Sequence, residues 1–166
     1  MNTIKKILLI AILTLGFGFM NAQSKVAHIS SDELVAAMPE TKVLQAKLEA
    51  LGKSYNDEAA KKEAELKAKF EKYNSEFEKQ TELVNNARTK EVQDDAKKIE
   101  QFKAEAYKDL QKQENDGLAP ILEKAQKAIE EVAAAQGFDY VINAQTLVVA
   151  KGKDLLADVK AKLGIK

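Results

Sequence analysis

Proline stands at positions 39 and 120 and nowhere between them. A proline ring inside a helix removes a hydrogen bond and clashes with the preceding turn, so a stretch this long without one is open to continuous helix. The apolar residues agree. Leu44, Leu48, Leu51, Tyr55 and Ala59, then Leu66, Phe70, Tyr73, Phe77 and Val84, recur at steps of three and four or at sums of them. That is the spacing of neighbours on one helix face. Lys and Glu fill the other faces. A single narrow stripe makes an amphipathic helix of coiled-coil type, too thin for a helix buried in a globular core.

The stripe thins between 85 and 95, where Asn85, Asn86, Asp94 and Asp95 cluster, and this segment is expected to be a tip where the chain reverses. It resumes at Ala96, Ile99, Phe102, Ala106 and Leu110, then Leu118, Ile121, Ala125, Ile129 and Val132. Asn115, Asp116, Gly117 and Pro120 predict a kink, and Gly137 a helix end. Two helices of roughly forty residues, one out and one back, make an arm about 60 Å long at about 1.5 Å per residue. A straight rod over 40–136 is the alternative, which the polar cluster disfavours.

The flanks read differently. Residues 25–29 (KVAHI) are strand-like, and Ser30 with Glu33 fits a capping box opening a short helix over 32–38. Pro39 then suits the first turn of the long helix, where its missing N–H has no partner to lose. Residues 138–144 and 147–150 predict two short strands joined as a hairpin. Asp154 is placed to cap a last helix over 155–163. The body, residues 23–50 and 120–166, is small for an independent fold anchoring a lever over 51–119, and short strands leave open edges. Pooling strands between copies solves both problems, so the chain is expected to be a homo-oligomer of α+β class.

Residues 1–6 carry Lys5 and Lys6, residues 7–20 (ILLIAILTLGFGFM) carry no charge, and Asn21-Ala22-Gln23 follows. A basic head, a short apolar run and a small residue describe a cleavable export signal, 1–22, ending near Ala22. The run is short of the roughly 20 residues that a membrane span needs. Losing Lys5 and Lys6 leaves 24 cations against 26 anions. That balance argues against nucleic acid as partner, since such affinity comes from neutralising phosphates. With no Cys and one His, disulfides, thiolate zinc sites and cysteine nucleophiles are excluded, and His28 has no motif partner for catalysis. Asp94 and Asp95 lack the glycine and ligand series of a calcium loop. No enzyme and no cofactor are expected.

Export signal, first strand, charged helical hairpin and the run LAPILEKAQKAIEEVAAAQGFDYVINAQ over 118–145 together resemble the Skp/OmpH family of periplasmic chaperones. The C-terminal third carries most of the likeness, above all KAIEEVA over 127–133 and GFDYVI over 137–142. The resemblance implies a jellyfish-shaped homotrimer, with a β-barrel body of pooled strands and three helical hairpins around a cavity. It further implies a periplasmic protein that holds unfolded outer-membrane proteins without ATP.

Client contact is then expected on arm residues not needed to zip the hairpin, with Phe77, Leu83, Val84, Val92 and Ile99 as the candidates and a place in the hairpin seam as the alternative for each. Tyr55, Phe70, Tyr73 and Phe102 read as seam. Val26, Ile29, Tyr140, Ile142, Val148 and Leu156 read as body core and contacts between copies. Better-known members of the family are basic at the arm tips, whereas residues 40–119 here hold 16 positive and 18 negative charges. A lipid or lipopolysaccharide site is therefore not carried over, and membrane contact stays open. The charges read as a solvated surface with helical pairs such as Glu58–Lys62 and Glu63–Lys67. A structural coiled-coil spacer of the cell envelope is the other reading.

Overall fold

The computed structural model describes residues 24–165, so the expected export signal lies outside the described residues. Strand β1 (Val26–Ile29) leads into helix α1 (Ser31–Ala37), where Ser30 Oγ accepts from the Glu33 N–H at 3.4 Å. Helix α2 (Pro39–Ser75) starts on its proline, as the missing N–H allows, and runs 37 residues. A 3-10 turn (Phe77–Lys79) and an extended Gln80 and Thr81 reverse the chain into α3 (Glu82–Gln136), 55 residues long.

The two long helices form a hairpin and not a rod. Their side chains pair in a ladder: Lys124 with Glu40, Tyr55 with Asp109 at 2.8 Å, Lys103 with Glu63 at 2.6 Å, Arg88 with Glu76 at 2.7 Å. Each step outward on α2 is matched by a step back on α3. The seam buries Ala59, Ile99 and Ala106, and Tyr55 meets Phe102 edge-on with ring centres 6.0 Å apart. Glu58 pairs with Lys62 as expected, at 3.2 Å, but Glu63 reaches across to Lys103, and Lys67 turns to Glu71 at 3.9 Å.

The tip lies at 76–81, not at 85–95. Thr81 Oγ1 accepts from the Val84 N–H at 3.4 Å and Glu82 sits in the first turn, the ordinary chemistry of a helix start. The polar cluster beyond it is helical because its side chains serve the seam. Asn85 Nδ2 donates to the Phe77 carbonyl at 2.9 Å, Glu91 accepts from Lys69 at 2.8 Å, and Asp95 accepts from the same lysine. Helix α3 runs on through Gly117 and Pro120, where a kink was expected. Asp116 and Pro120 are both exposed, a setting in which the carbonyl that the proline ring leaves unpaired is within reach of solvent.

Gly137 closes α3 with φ +70°, a left-handed geometry that a side chain would strain. The Phe138 N–H reaches the Ala133 carbonyl at 2.9 Å and the Gly137 N–H the Ala134 carbonyl at 3.1 Å, which satisfies the last turn. Strand β2 (Tyr140–Asn143) follows, then a 3-10 turn (Ala144–Thr146), strand β3 (Lys153–Asp154) and helix α4 (Leu156–Lys162).

The expected hairpin of 138–144 with 147–150 is not formed. Both β2 and β3 pair parallel to β1, in the order β2-β1-β3, with Val26 opposite Tyr140 and His28 opposite Ile142 and Asp154. Residues 147–152 cross from one edge of β1 to the other without pairing. The reason is at the far end of this segment. Asp154 Oδ1 accepts from the Leu156 N–H at 2.8 Å, and Leu155 and Val159 are fully buried against the helices. Docking α4 there requires its leading strand on the β3 edge.

One face of the sheet, through Ala27, Ile29 and Val141, packs on Leu34, Met38, Ile121, Ala125, Val132, Leu155 and Val159. This is the main core of the chain. It joins β1, α1, α4 and the root of α3, and the arm projects from it.

Candidate functional site

Among the described residues, packing within one chain leaves apolar side chains uncovered most densely in two regions, at opposite ends of the arm. The first is the outer face of the sheet. Alternate strand residues point to opposite faces, so Ala27 and Ile29 turn to the core while Val26, His28, Tyr140 and Ile142 turn away. Val26 is 46% exposed, Tyr140 60% and Ile142 38%, and Val148 on the crossing segment is fully exposed. His28 is buried mid-sheet with Nε2 3.2 Å from the Gly152 carbonyl. Of the residues expected to build the body, Ile29 is fully buried and Leu156 is half-buried against the core.

The second region is the arm tip. Phe77 is 56% exposed and Leu83 81% exposed, while Val84 and Val92 are half-buried. Ile99 takes the seam alternative and not the client-facing one. It is buried in the seam at the level of Leu66, because it stands on the stripe facing α2, and it offers no free surface. Phe70 departs in the other direction, 56% exposed where a seam residue was expected.

Phe70, Tyr73, Phe77 and Val92 line a cleft of about 330 Å³ together with Asn85 and Arg88. The Arg88 guanidinium lies 4.5 Å from the centre of the Tyr73 ring and donates through Nη2 to Glu76 at 2.7 Å. Arg88 Nη1 and Asn85 Oδ1 are buried without a hydrogen-bond partner among the described residues. Neither residue was expected at a site. The signal was present, since Thr81-Glu82 marks a helix start, and Asn85, Arg88 and Val92 follow at helical spacing on one face.

Between cleft and seam lies a charged network. Lys69 pairs with Glu91 and Asp95, Tyr73 donates to Glu91 at 2.8 Å, and Lys98 reaches Asp95 at 3.0 Å. The hydrogen bonds from Lys69 hold the Glu91 and Asp95 carboxyls below the usual carboxylate range, and those carboxylates raise the Lys69 ammonium above its own. Glu91 likewise raises the Tyr73 hydroxyl, and Asp109 that of Tyr55. These hydrogen bonds and ion pairs link the two helices of the arm.

A small parallel sheet on a helical root, carrying a long hairpin, is a distinctive arrangement, and it has known counterparts. The family described as "Outer membrane protein (OmpH-like)" matches residues 25–163. The chain belongs to the OmpH-like family. Among its curated relatives, the Chaperone protein Skp of Pectobacterium atrosepticum is 28% identical over 144 residues, covering 84% of this chain and 86% of the relative. That of Photorhabdus luminescens is 27% identical over 162 residues, covering 93% and 96%. The crystal structure of an OmpH-like outer membrane chaperone from Caulobacter crescentus CB15 superposes with a TM-score of 0.77 at 17% identity, over 86% of this chain and 85% of that one. At that identity the likeness concerns the fold. Relatives named as chaperones belong to a non-catalytic family, and this OmpH-like chain is not an enzyme.

Proposed function

We propose that this chain is an ATP-independent holdase of the periplasm. As a homotrimer it would keep unfolded outer-membrane β-barrel proteins from aggregating in a cavity between its helical arms. One observation carries the reading: exposed apolar side chains gather at the sheet face of the root and at the tip, the two ends of a mostly charged arm on which Val43, Tyr107 and Leu122 are exposed singly. At about 1.5 Å per residue the 37 residues of α2 separate the two ends by about 55 Å.

The root patch suits copies of the same chain. Three strands with a bare apolar face and open edges are poorly protected alone, and Val26, Tyr140, Ile142 and Val148 would be covered if three chains closed their strands into a barrel. The body over 23–50 and 120–166 is then the oligomerisation unit. The tip patch suits a client held by many weak contacts, through Phe77, Leu83, Val84 and Val92. Relatives named Chaperone protein Skp support the same reading.

The test is direct. Light scattering of the mature chain should give the mass of three copies, and a stoichiometric amount should delay aggregation of a urea-diluted β-barrel protein without nucleotide. A monomer that gives no protection overturns the reading. Co-purification with one folded partner, without protection of unfolded chains, would identify a spacer instead.

A further inference from the structure

We propose that the cleft at the arm tip is a discrete peptide site. It would take an aromatic or large aliphatic side chain of an extended segment against Phe70 and Phe77, and the adjoining peptide group between Arg88 and Asn85. The occupant is argued from the lining. Four of its nine lining residues, Phe70, Tyr73, Phe77 and Val92, are aromatic or aliphatic, and they offer an apolar side chain a place to pack.

The two unmet polar atoms are of opposite kind. Arg88 Nη1 carries an N–H without an acceptor, and Asn85 Oδ1 carries lone pairs without a donor. An unpaired buried polar group costs free energy that a guest recovers by pairing it. Both atoms are closed off as the side chains stand; once Arg88 and Asn85 turn toward the cleft, a peptide group, which presents C=O and N–H together, answers both. In a folded protein those groups are already paired within the chain; in an unfolded one they are free at nearly every residue.

Charge selects further. Glu76 already faces the guanidinium at 2.7 Å, and the Tyr73 ring covers it at 4.5 Å. A second carboxylate would therefore meet the negative charge of Glu76, whereas a neutral carbonyl would not. Asn85 is itself positioned, because its Nδ2 donates to the Phe77 carbonyl, and this ties the polar half of the cleft to the turn that presents Phe77. The site thus favours internal segments of unfolded chain over free carboxylates and over folded surfaces. The proposal takes from the chaperone reading only the origin of such segments.

The test uses the full mature chain and a blocked pentapeptide, acetyl-Gly-Ser-X-Ser-Gly-amide, in which X is the photoreactive benzoylphenylalanine. Labelling should map by mass spectrometry to residues 70–93, and the X = Phe peptide should compete where X = Ala does not. Arg88→Lys keeps the charge opposite Glu76 but removes the second nitrogen, and should weaken competition by the Phe peptide about tenfold. Phe77→Ala should act similarly, since that ring is half-exposed and its loss leaves the helices intact by circular dichroism. Val43→Ala, exposed near the root of the arm and far from the cleft, should change nothing.

Labelling spread evenly along the arms, or Arg88→Lys and Phe77→Ala both binding like wild type, would overturn the proposal. Parallel aggregation assays separate the two ideas. Protection of a β-barrel protein without tip labelling removes the cleft and leaves the holdase, and tip labelling without protection does the reverse.

Discussion

Lys69 spans the seam to Glu91 and to Asp95 one turn further on, and the sign of its effect on stability follows from the shifted groups. Both carboxyls titrate below their ordinary values of 4.5 and 3.8. Their contribution to the folded arm is therefore present above those values and lost as pH falls through the depressed ones. An NMR titration of the Asp95 side chain should find its midpoint below 3.8, and Lys69→Met should move it back up. A second residue sets the distance between the helices. A Cβ at Gly117 would collide with Leu44 Cδ1 and stand 3.2 Å from its Cγ. Glycine costs about 1 kcal/mol relative to alanine in a helix, and overpacking costs about 1–3 kcal/mol. Gly117→Ala should therefore destabilise the wild-type protein by about 1 kcal/mol but stabilise a Leu44→Ala background by a similar amount. Chemical denaturation of the four variants reads this reversal of sign.

At the scale of elements, the position of the tip decides which side chains meet. Because α3 begins at Glu82 with Thr81 extended at ψ 157°, position 82 tolerates a proline, as the first residue of a helix does. Position 90 is interior to the helix. Glu82→Pro should leave thermal stability and helix content near wild type, whereas Lys90→Pro should cost about 3 kcal/mol. Had the chain reversed at 85–95, the ranking would be inverted. The stripe on 44–84 and on 96–132 made both helices legible, and Tyr55 and Phe102 meet as seam residues should. The tip was misplaced because clustered Asn and Asp look alike in a loop and on the polar side of a helix. Only the facing helix, with Lys69 and the Phe77 carbonyl in reach, distinguishes the two.

At the scale of the molecule, the open sheet face has the largest consequence. If copies assemble through it, Ile142→Glu places a charge in a desolvated contact, where an unpaired charge is strongly unfavourable. Light scattering should then show the mass fall from three copies to one while the arm stays helical by circular dichroism. Retention of the trimer with Ile142→Glu would place the contact elsewhere. The core side of the sheet would be unaffected, since Ala27, Ile29 and Val141 point the other way.

The sequence by itself determined what local chemistry controls. Proline spacing and the apolar stripe dictated two long amphipathic helices, Pro39 and Gly137 dictated their outer boundaries and Ser30 the start of the short helix before them, and the run over 118–145 disclosed the OmpH-like family. Tertiary structure alone decided what depends on partners distant in the chain. It set the β2-β1-β3 order in place of a hairpin, because Leu155 and Val159 had to reach the helical core. It put the reversal at 76–81 and Ile99 in the seam. It also brought Phe70, Phe77, Asn85 and Arg88 around one cleft. Periodicity tells which face of a helix is apolar; which part of that face remains uncovered depends on where the opposing helix stops.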